Sequence, residues 1–369
     1  METTYRPTKA IVDLSAIDYN IKKLIERIAG ARLMAVVKAD AYGHGVLEIA
    51  RQSLKSGAAM LAVATPDEAL YLRDNNIEAE LLVMGASPVR FIKEAIKHDI
   101  NLTAYSMEWL EAAADELKKE VEPLKIHLKF DTGMRRIGIQ PEEADAAFEF
   151  VGQQPFQVEG LFTHFATADE AENPLFLKQV ETINAIRNKW QGGSLVFHVS
   201  NSAAAILHPE LAFDAVRTGI SIYGIAPSAF VKREMPFELE QAMSLETEIV
   251  HVKKVKKGDA LSYGATYRCE EDEWIGTLPI GYADGLIRGL QGQDVLVRGQ
   301  RMPIVGRICM DQCLIRLTEK FPVGEGVQLL GTQKEATILI EEWAERLDTI
   351  PYEIPCILTK RVPRQYVGA

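Results

Sequence analysis

The segment A-V-V-K-A-D-A-Y-G-H-G, Ala35 to Gly45, carries the most chemistry in the chain. A continuous apolar run ends in Lys38, and a lysine anchored at a strand end can hold a carbonyl compound as a Schiff base. A lone lysine there is ordinarily just solvated. Tyr42 follows four residues on, beside Gly43 and Gly45, where backbone can approach a ligand closely. A second group lies further along. Asn201 and Ser202 follow one strand-like run, and Arg217, Thr218, Gly219 and Ile220 close the next. Hydroxyls, backbone N–H groups and positive charge are what a phosphate needs. Ser202 could equally cap a helix over 202–207, and Arg217 could serve as a phosphate clamp or an ion-pair partner.

The elements that must position these groups alternate. Strand patterns recur at Leu33–Lys38, Met60–Thr65, Leu81–Gly85, Ile100–Ala104, Ile126–Phe130, Val158–His164, Leu195–Val199 and Ala215–Arg217. Helical patterns lie between most of them, and an opening strand at Ile11–Leu14 leads into a helix that Ser15 starts. The expectation is α/β: an N-terminal (β/α)8 barrel of the TIM type over 1–235, with catalytic residues at the C-terminal ends of its strands. A doubly wound sheet is the alternative, but no G-x-G-x-x-G follows the first strand. Beyond Ser228–Ala242 the pattern turns to β runs parted by Gly-rich turns: Leu245–Val255, Trp274–Ile280, Asp294–Arg298, Met302–Leu317 and Val327–Leu330. Ile338–Leu347 alone reads as helical there. A mainly β domain is expected over 236–369.

Composition narrows the class. The 369 residues hold 41 Lys plus Arg against 52 Asp plus Glu, a net charge of −11, which argues against a nucleic-acid surface. The four cysteines, Cys269, Cys309, Cys313 and Cys356, form no C-x-x-C pair. Cys309 and Cys313 lack the second Cys/His pair of a zinc site, so free thiols in a reducing compartment are expected and no metal. No apolar run has the length of a membrane span, and the N-terminus lacks a secretory layout. The cytoplasm is the expected compartment.

From Ala35–Gly45 onward the chain resembles bacterial alanine racemases. Besides A-V-V-K-A-D-A-Y-G-H-G, the strings K-F-D-T-G-M-R-R-I-G, T-H-F-A-T-A-D, S-N-S-A-A, V-R-T-G-I-S-I-Y-G, S-Y-G-A-T-Y, G-Y-A-D-G, G-R-I-C-M-D-Q and Y-E-I-P-C stand in the family's order and span essentially the whole chain. The resemblance implies pyridoxal 5′-phosphate held by Lys38. It implies a cofactor phosphate bound by Tyr42, Ser202, Gly219, Ile220 and Tyr352, with His198 and Asn201 also among the cofactor-binding residues. Arg217 would face the pyridine nitrogen, where an always-charged donor keeps that nitrogen unprotonated.

Racemisation needs an acid/base on each face of the reacting carbon. The resemblance assigns one face to Lys38 and the other to Tyr263, with His164 contacting the tyrosine and Arg217 the histidine. A phenol ordinarily titrates near 10 and needs such help to act as a base at neutral pH. Arg136 and the Met310 N–H would hold the substrate carboxylate, Lys129 matches a lysine carbamylated in some members, and Tyr282 with Tyr352 would narrow the entrance. The implied assembly is a head-to-tail homodimer in which the β domain of one subunit completes the other's site, with alanine as substrate. Read without the family, Tyr263 is a strand-end aromatic, His164 a core histidine and Met310 core filler. A barrel decarboxylase is disfavoured by Arg217, and a non-catalytic carrier by the second domain.

Overall fold

The computed structural model describes residues 5–171 and 173–368; the first four residues of the N-terminal stretch read above lie outside these. The chain divides into two compact units.

The larger unit, Ile17–Ala41 with Val46–Glu240, holds eight parallel strands. Counting β1 as Lys9–Asp13, these are β2 (Arg32–Val36), β3 (Met60–Val63), β4 (Leu81–Val83), β5 (Asn101–Ala104), β6 (Leu124–Lys129), β7 (Phe156–Phe162), β8 (Val196–His198) and β9 (Ala215–Thr218). Their order, β8-β7-β6-β5-β4-β3-β2-β9, is that of a barrel opened at one seam. The seam is nearly closed, since Asp214 N donates to Phe197 O and Arg217 N to Ser200 O across it. Several strands are short, apolar and fully buried, as in Met60–Val63, because core lies inside and helices cover the outside, whereas β6 carries Lys125 and His127 and the first half of β7 is partly exposed. All eight expected strands are present, each within a few residues of its expected limits.

The smaller unit contains the described residues up to Ala16, the short stretch Tyr42–Gly45, and the chain from Gln241 on. The 1–235 boundary expected from sequence therefore needs adjusting. β1 pairs antiparallel with the strand Met243–Glu248 and parallel with Arg364–Val367, so it is a sheet strand of the second unit. Its alternating buried and half-buried residues fit a one-sided sheet, a pattern a barrel strand does not show. Asp13 starts the first helix in place of Ser15, its Oδ1 accepting from Ser15 N and Ala16 N. Leu245–Val255 is two strands, Met243–Glu248 and His251–Val255. Met302–Leu317 is also two, Gln300–Val305 and Cys313–Leu317, with Gly306–Gln312 leaving the sheet between them. No described helix is long and apolar enough to cross a membrane.

Candidate active site

Lys38 lies two residues past β2. The ladder holds the chain as far as Val37, whose N–H donates to Ala62 O. The next four residues then turn left-handed: Ala39 (φ 54°), Asp40 (φ 53°), Ala41 (φ 53°) and Tyr42 (φ 52°). None is glycine, and the left-handed conformation costs about 1–2 kcal/mol for each such residue. Strain of this kind persists only where surrounding structure imposes it, and it concentrates at functional sites.

Arg217 projects from β9 into a buried polar network. Nη1 donates to His198 Nδ1 (2.9 Å) and His198 O (2.6 Å). Nη2 donates to Thr163 O (2.7 Å) and Val199 O (3.2 Å), and reaches His164 Nδ1 at 3.4 Å. Nε has no hydrogen bond among the described residues. Burial brings the guanidinium down to about 9, which leaves it charged at neutral pH. His198 stacks on Phe162, with centroids 4.7 Å apart. Since a guanidinium only donates, Nδ1 of His198 accepts and its proton sits on Nε2. That proton is donated to His127 Nδ1 at 2.8 Å. Burial, then Arg217, presses His127 down to about 3, and the same causes hold His198 neutral. Gly160 in β7 makes room for this pair, because a Cβ there would come within 2.2 Å of His127 Nδ1. His198, expected at the cofactor, holds Arg217 through two hydrogen bonds.

Two more cations and a histidine border the network. Lys129, the last residue of β6, is buried with its Nζ 5.6 Å from the centre of the Phe162 ring. Burial, then Arg136 and Arg217, lowers its pKa to about 7. Arg136 is exposed and has no hydrogen bond among the described residues. Its loop is shaped by Asp131, whose Oδ1 accepts from Gly133 N and Arg135 N, both at 3.0 Å. His164 is partly buried. Burial and then Arg217, Arg136, Lys129 and Lys38 hold it well below the ordinary histidine range. It therefore stays neutral across pH 6–8, and the pH profile of kcat/KM is expected to show no limb near 6.5. Such a limb, lost in His164→Gln, would contradict this.

Two network members escape sequence reading. Gln179 is fully buried on the helix Pro174–Lys189; its Nε2 donates to Thr132 Oγ1 (3.1 Å) and His164 O (3.0 Å), and its Oε1 accepts from Ala166 N. The available signal was a polar residue among Phe176, Ile183 and Ile186, the other buried residues of that helix. His127, inside the strand L-K-I-H-L-K, offered only the glycine opposite it.

The phosphate candidates converge on the ends of β8 and β9. Asn201 caps the helix Ser202–Leu207 through a bond from Ala204 N, the role that the sequence left open for Ser202. Ser202 Oγ instead accepts from Gly219 N at 2.9 Å, which leaves its proton to donate elsewhere. Beside Gly219 and Ile220, the buried hydroxyls Thr218 Oγ1 and Ser221 Oγ lack partners. The turn is tied to β2 by Tyr223 Oη donating to Val36 O (3.0 Å). Hydroxyls without partners beside Gly219 and a free Arg217 Nε are the kinds of donor that a phosphate and a pyridine nitrogen take.

The remaining expected residues belong to the smaller unit. Tyr42 is buried, its ring 6.4 Å from that of Tyr352, and burial followed by Tyr352 and Cys356 pushes its phenol upward. Tyr263 is 71% exposed on a short turn between Ser262 (φ 62°, ψ −177°) and Gly264. Ser262 Oγ donates to Arg307 O at 2.6 Å. Met310 is 53% exposed in the Gly306–Gln312 connection, so it is no core filler. Tyr282, 40% exposed, opens a turn capped by buried Asp284.

The parallel barrel carries a lysine, a donor-only arginine and hydroxyls without partners at its strand ends, and the chain goes on into a β domain. Comparison with known proteins specifies the family. Residues 12–227 match the alanine racemase N-terminal domain and 242–366 the alanine racemase C-terminal domain. The alanine racemase of Halalkalibacterium halodurans is 47% identical over 376 residues, covering 99% of this chain and 96% of that protein. The alanine racemase structure from E. faecalis superposes with a TM-score of 0.96 at 42% identity over the whole of both chains. A histidine racemase from Leuconostoc mesenteroides reaches 0.93 at 33% identity, covering 99% of each chain. The chain belongs to the alanine racemase family.

Proposed function

We propose that the protein interconverts L- and D-alanine, with Lys38 as acid/base on one face of Cα and Tyr263 of the partner subunit on the other. Pyridoxal phosphate, when bound, supplies the electron sink that makes the α-proton removable. Lys38 would hold it. Ser202, Gly219, Ile220, Tyr42 and Tyr352 would bind its phosphate, and Arg217 Nε would donate to its ring nitrogen.

The observation that carries the reading is the single direction of donation through Arg217. The guanidinium feeds Nδ1 of His164 and of His198, so the proton of a neutral His164 sits on Nε2. That N–H can stabilise a phenolate brought against it. Arg217 accepts no proton, so it favours quick return of a proton to Cα over wider delocalisation of charge. The exposure of Tyr263, Met310 and Tyr282 in one chain supports a head-to-tail dimer whose site a second copy completes. Arg136 and Met310 N–H would orient the substrate carboxylate, and Tyr282 would narrow the entrance. The four free cysteines fit a reducing cytoplasm.

Lys129 is proposed to carry a carbamate. A buried amine titrating near 7 is substantially neutral, and so nucleophilic toward CO2, at physiological pH. Its nitrogen bonds to the carbon of CO2 and releases one N–H proton to solvent, leaving an anionic carbamate among Arg136, Arg217 and Lys38, where the ammonium form is repelled. Protein equilibrated with 13C-bicarbonate should show a carbamate carbon signal that Lys129→Ala removes. A spectrum without that signal, or with one that survives the substitution, would overturn the assignment. Substrate choice is tested with L-alanine, L-serine and L-histidine side by side. Preferential racemisation of histidine would move the reading toward the Leuconostoc enzyme.

A further inference from the structure

Glu68 does two jobs, and only one of them belongs to its own helix. It is the third residue of the helix Pro66–Asp74, in T-P-D-E, a capping box in which Thr65 Oγ1 accepts from Glu68 N at 3.3 Å. Oε2 completes the box by accepting from Thr65 N (3.1 Å) and also from Ala64 N (2.7 Å), both at the end of β3. One oxygen thus suffices for the cap. The other, Oε1, accepts at 2.7 Å from Ala39 N. That N–H belongs to the peptide joining Lys38 to Ala39, where the chain enters its left-handed turn. The far end of the turn is held by Asp40 Oδ1, which accepts from Val46 N at 2.8 Å.

Four consecutive non-glycine residues adopt the left-handed conformation only when something outside them imposes it. A carboxylate spanning two adjacent strand ends does so with charge-assisted bonds, which are short and directional. It also orients the peptide plane from which the Lys38 side chain departs. We propose that Glu68 is a positioning residue for Lys38, holding the strained turn through the Lys38–Ala39 peptide so that the amine meets its reaction partner in one orientation. The inference rests on the reading of Lys38 as the lysine that holds the cofactor.

The test compares Glu68→Ala, Glu68→Gln and Thr65→Ala in the full-length protein. Two quantities are read: the rate at which cofactor-free protein attaches pyridoxal phosphate covalently, and the separate values of kcat and KM. Thr65→Ala removes the cap hydroxyl and leaves the Ala39 bond. It should lower Tm by about 2–4 °C and leave both quantities within about twofold of the parent. Glu68→Ala should slow attachment and reduce kcat by about tenfold to a hundredfold with KM little changed, as expected for misplacement of a reacting group. Glu68→Gln keeps one acceptor and turns an amide toward the other donors, so it should fold and fall between these limits. Should Glu68→Ala fail to fold, Glu68→Gln alone decides. Attachment and kcat at parental levels in the Glu68 variants, or equal losses in Thr65→Ala, would overturn the proposal. Lys38→Ala run alongside separates the two failures. If it still attaches cofactor, the reading of Lys38 is wrong; if attachment is abolished there but normal in the Glu68 variants, only the role of Glu68 is wrong.

Discussion

Lys38→Ala is expected to eliminate covalent attachment of pyridoxal phosphate and to lower racemisation by about ten thousandfold or more, since one side chain supplies both the attachment and an acid/base group. The expectation follows from position. Lys38 stands one residue past the last ladder bond of β2 and starts a turn whose backbone is fixed on both sides. No neighbouring lysine can replace it from the same backbone: Lys129 leaves from β6, four strands away in the sheet order. The variant should keep its Tm within a few degrees, because a half-buried side chain at a strand end contributes little to the core. Absorbance of the attached cofactor and D-alanine formation are the readouts. Parental activity without covalent attachment would refute the assignment.

Tyr263→Phe should be lopsided. The substitution removes one hydroxyl from an exposed turn, leaving the fold unchanged. Loss of a positioned acid/base group costs about a hundredfold to ten-thousandfold in the transfer it performs. Exchange of the α-proton of L-alanine with solvent deuterium should fall by that factor. Exchange from D-alanine, assigned to Lys38, should fall much less. His164→Gln should weaken the same L-side transfer, because the imidazole that Arg217 polarises is the group available to favour the phenolate. Equal and small losses on both sides would exclude a two-base division of labour.

The barrel was legible because several of its strands, Met60–Val63 and Leu81–Val83 among them, are short apolar runs buried on both faces, which helical patterns cannot mimic at that length. β1 was misplaced because an apolar tetrapeptide before a helix reads alike whether its partner is a barrel strand or Met243–Glu248; the pairing is non-local. Lys38 and Arg217 were legible as charges ending apolar strands. Their supports were not. His127 and His198 hide within strands, and the hydrogen bond that relates them joins residues 71 apart. Glu68 is visible in sequence as the glutamate of a capping box, which accounts for Oε2 and conceals Oε1. Met310 was masked because Met302–Leu317 reads as one β run, and composition does not reveal that the chain leaves the sheet at Gly306.

This barrel and its β domain are expected to racemise alanine. The direct measurement is chiral separation of the products when cofactor-loaded protein is incubated with L-alanine, and separately with D-alanine, in deuterated water. Racemisation should bring both incubations to equal amounts of the two enantiomers, with deuterium at Cα of the product. Colour change or α-exchange without the opposite enantiomer would contradict it.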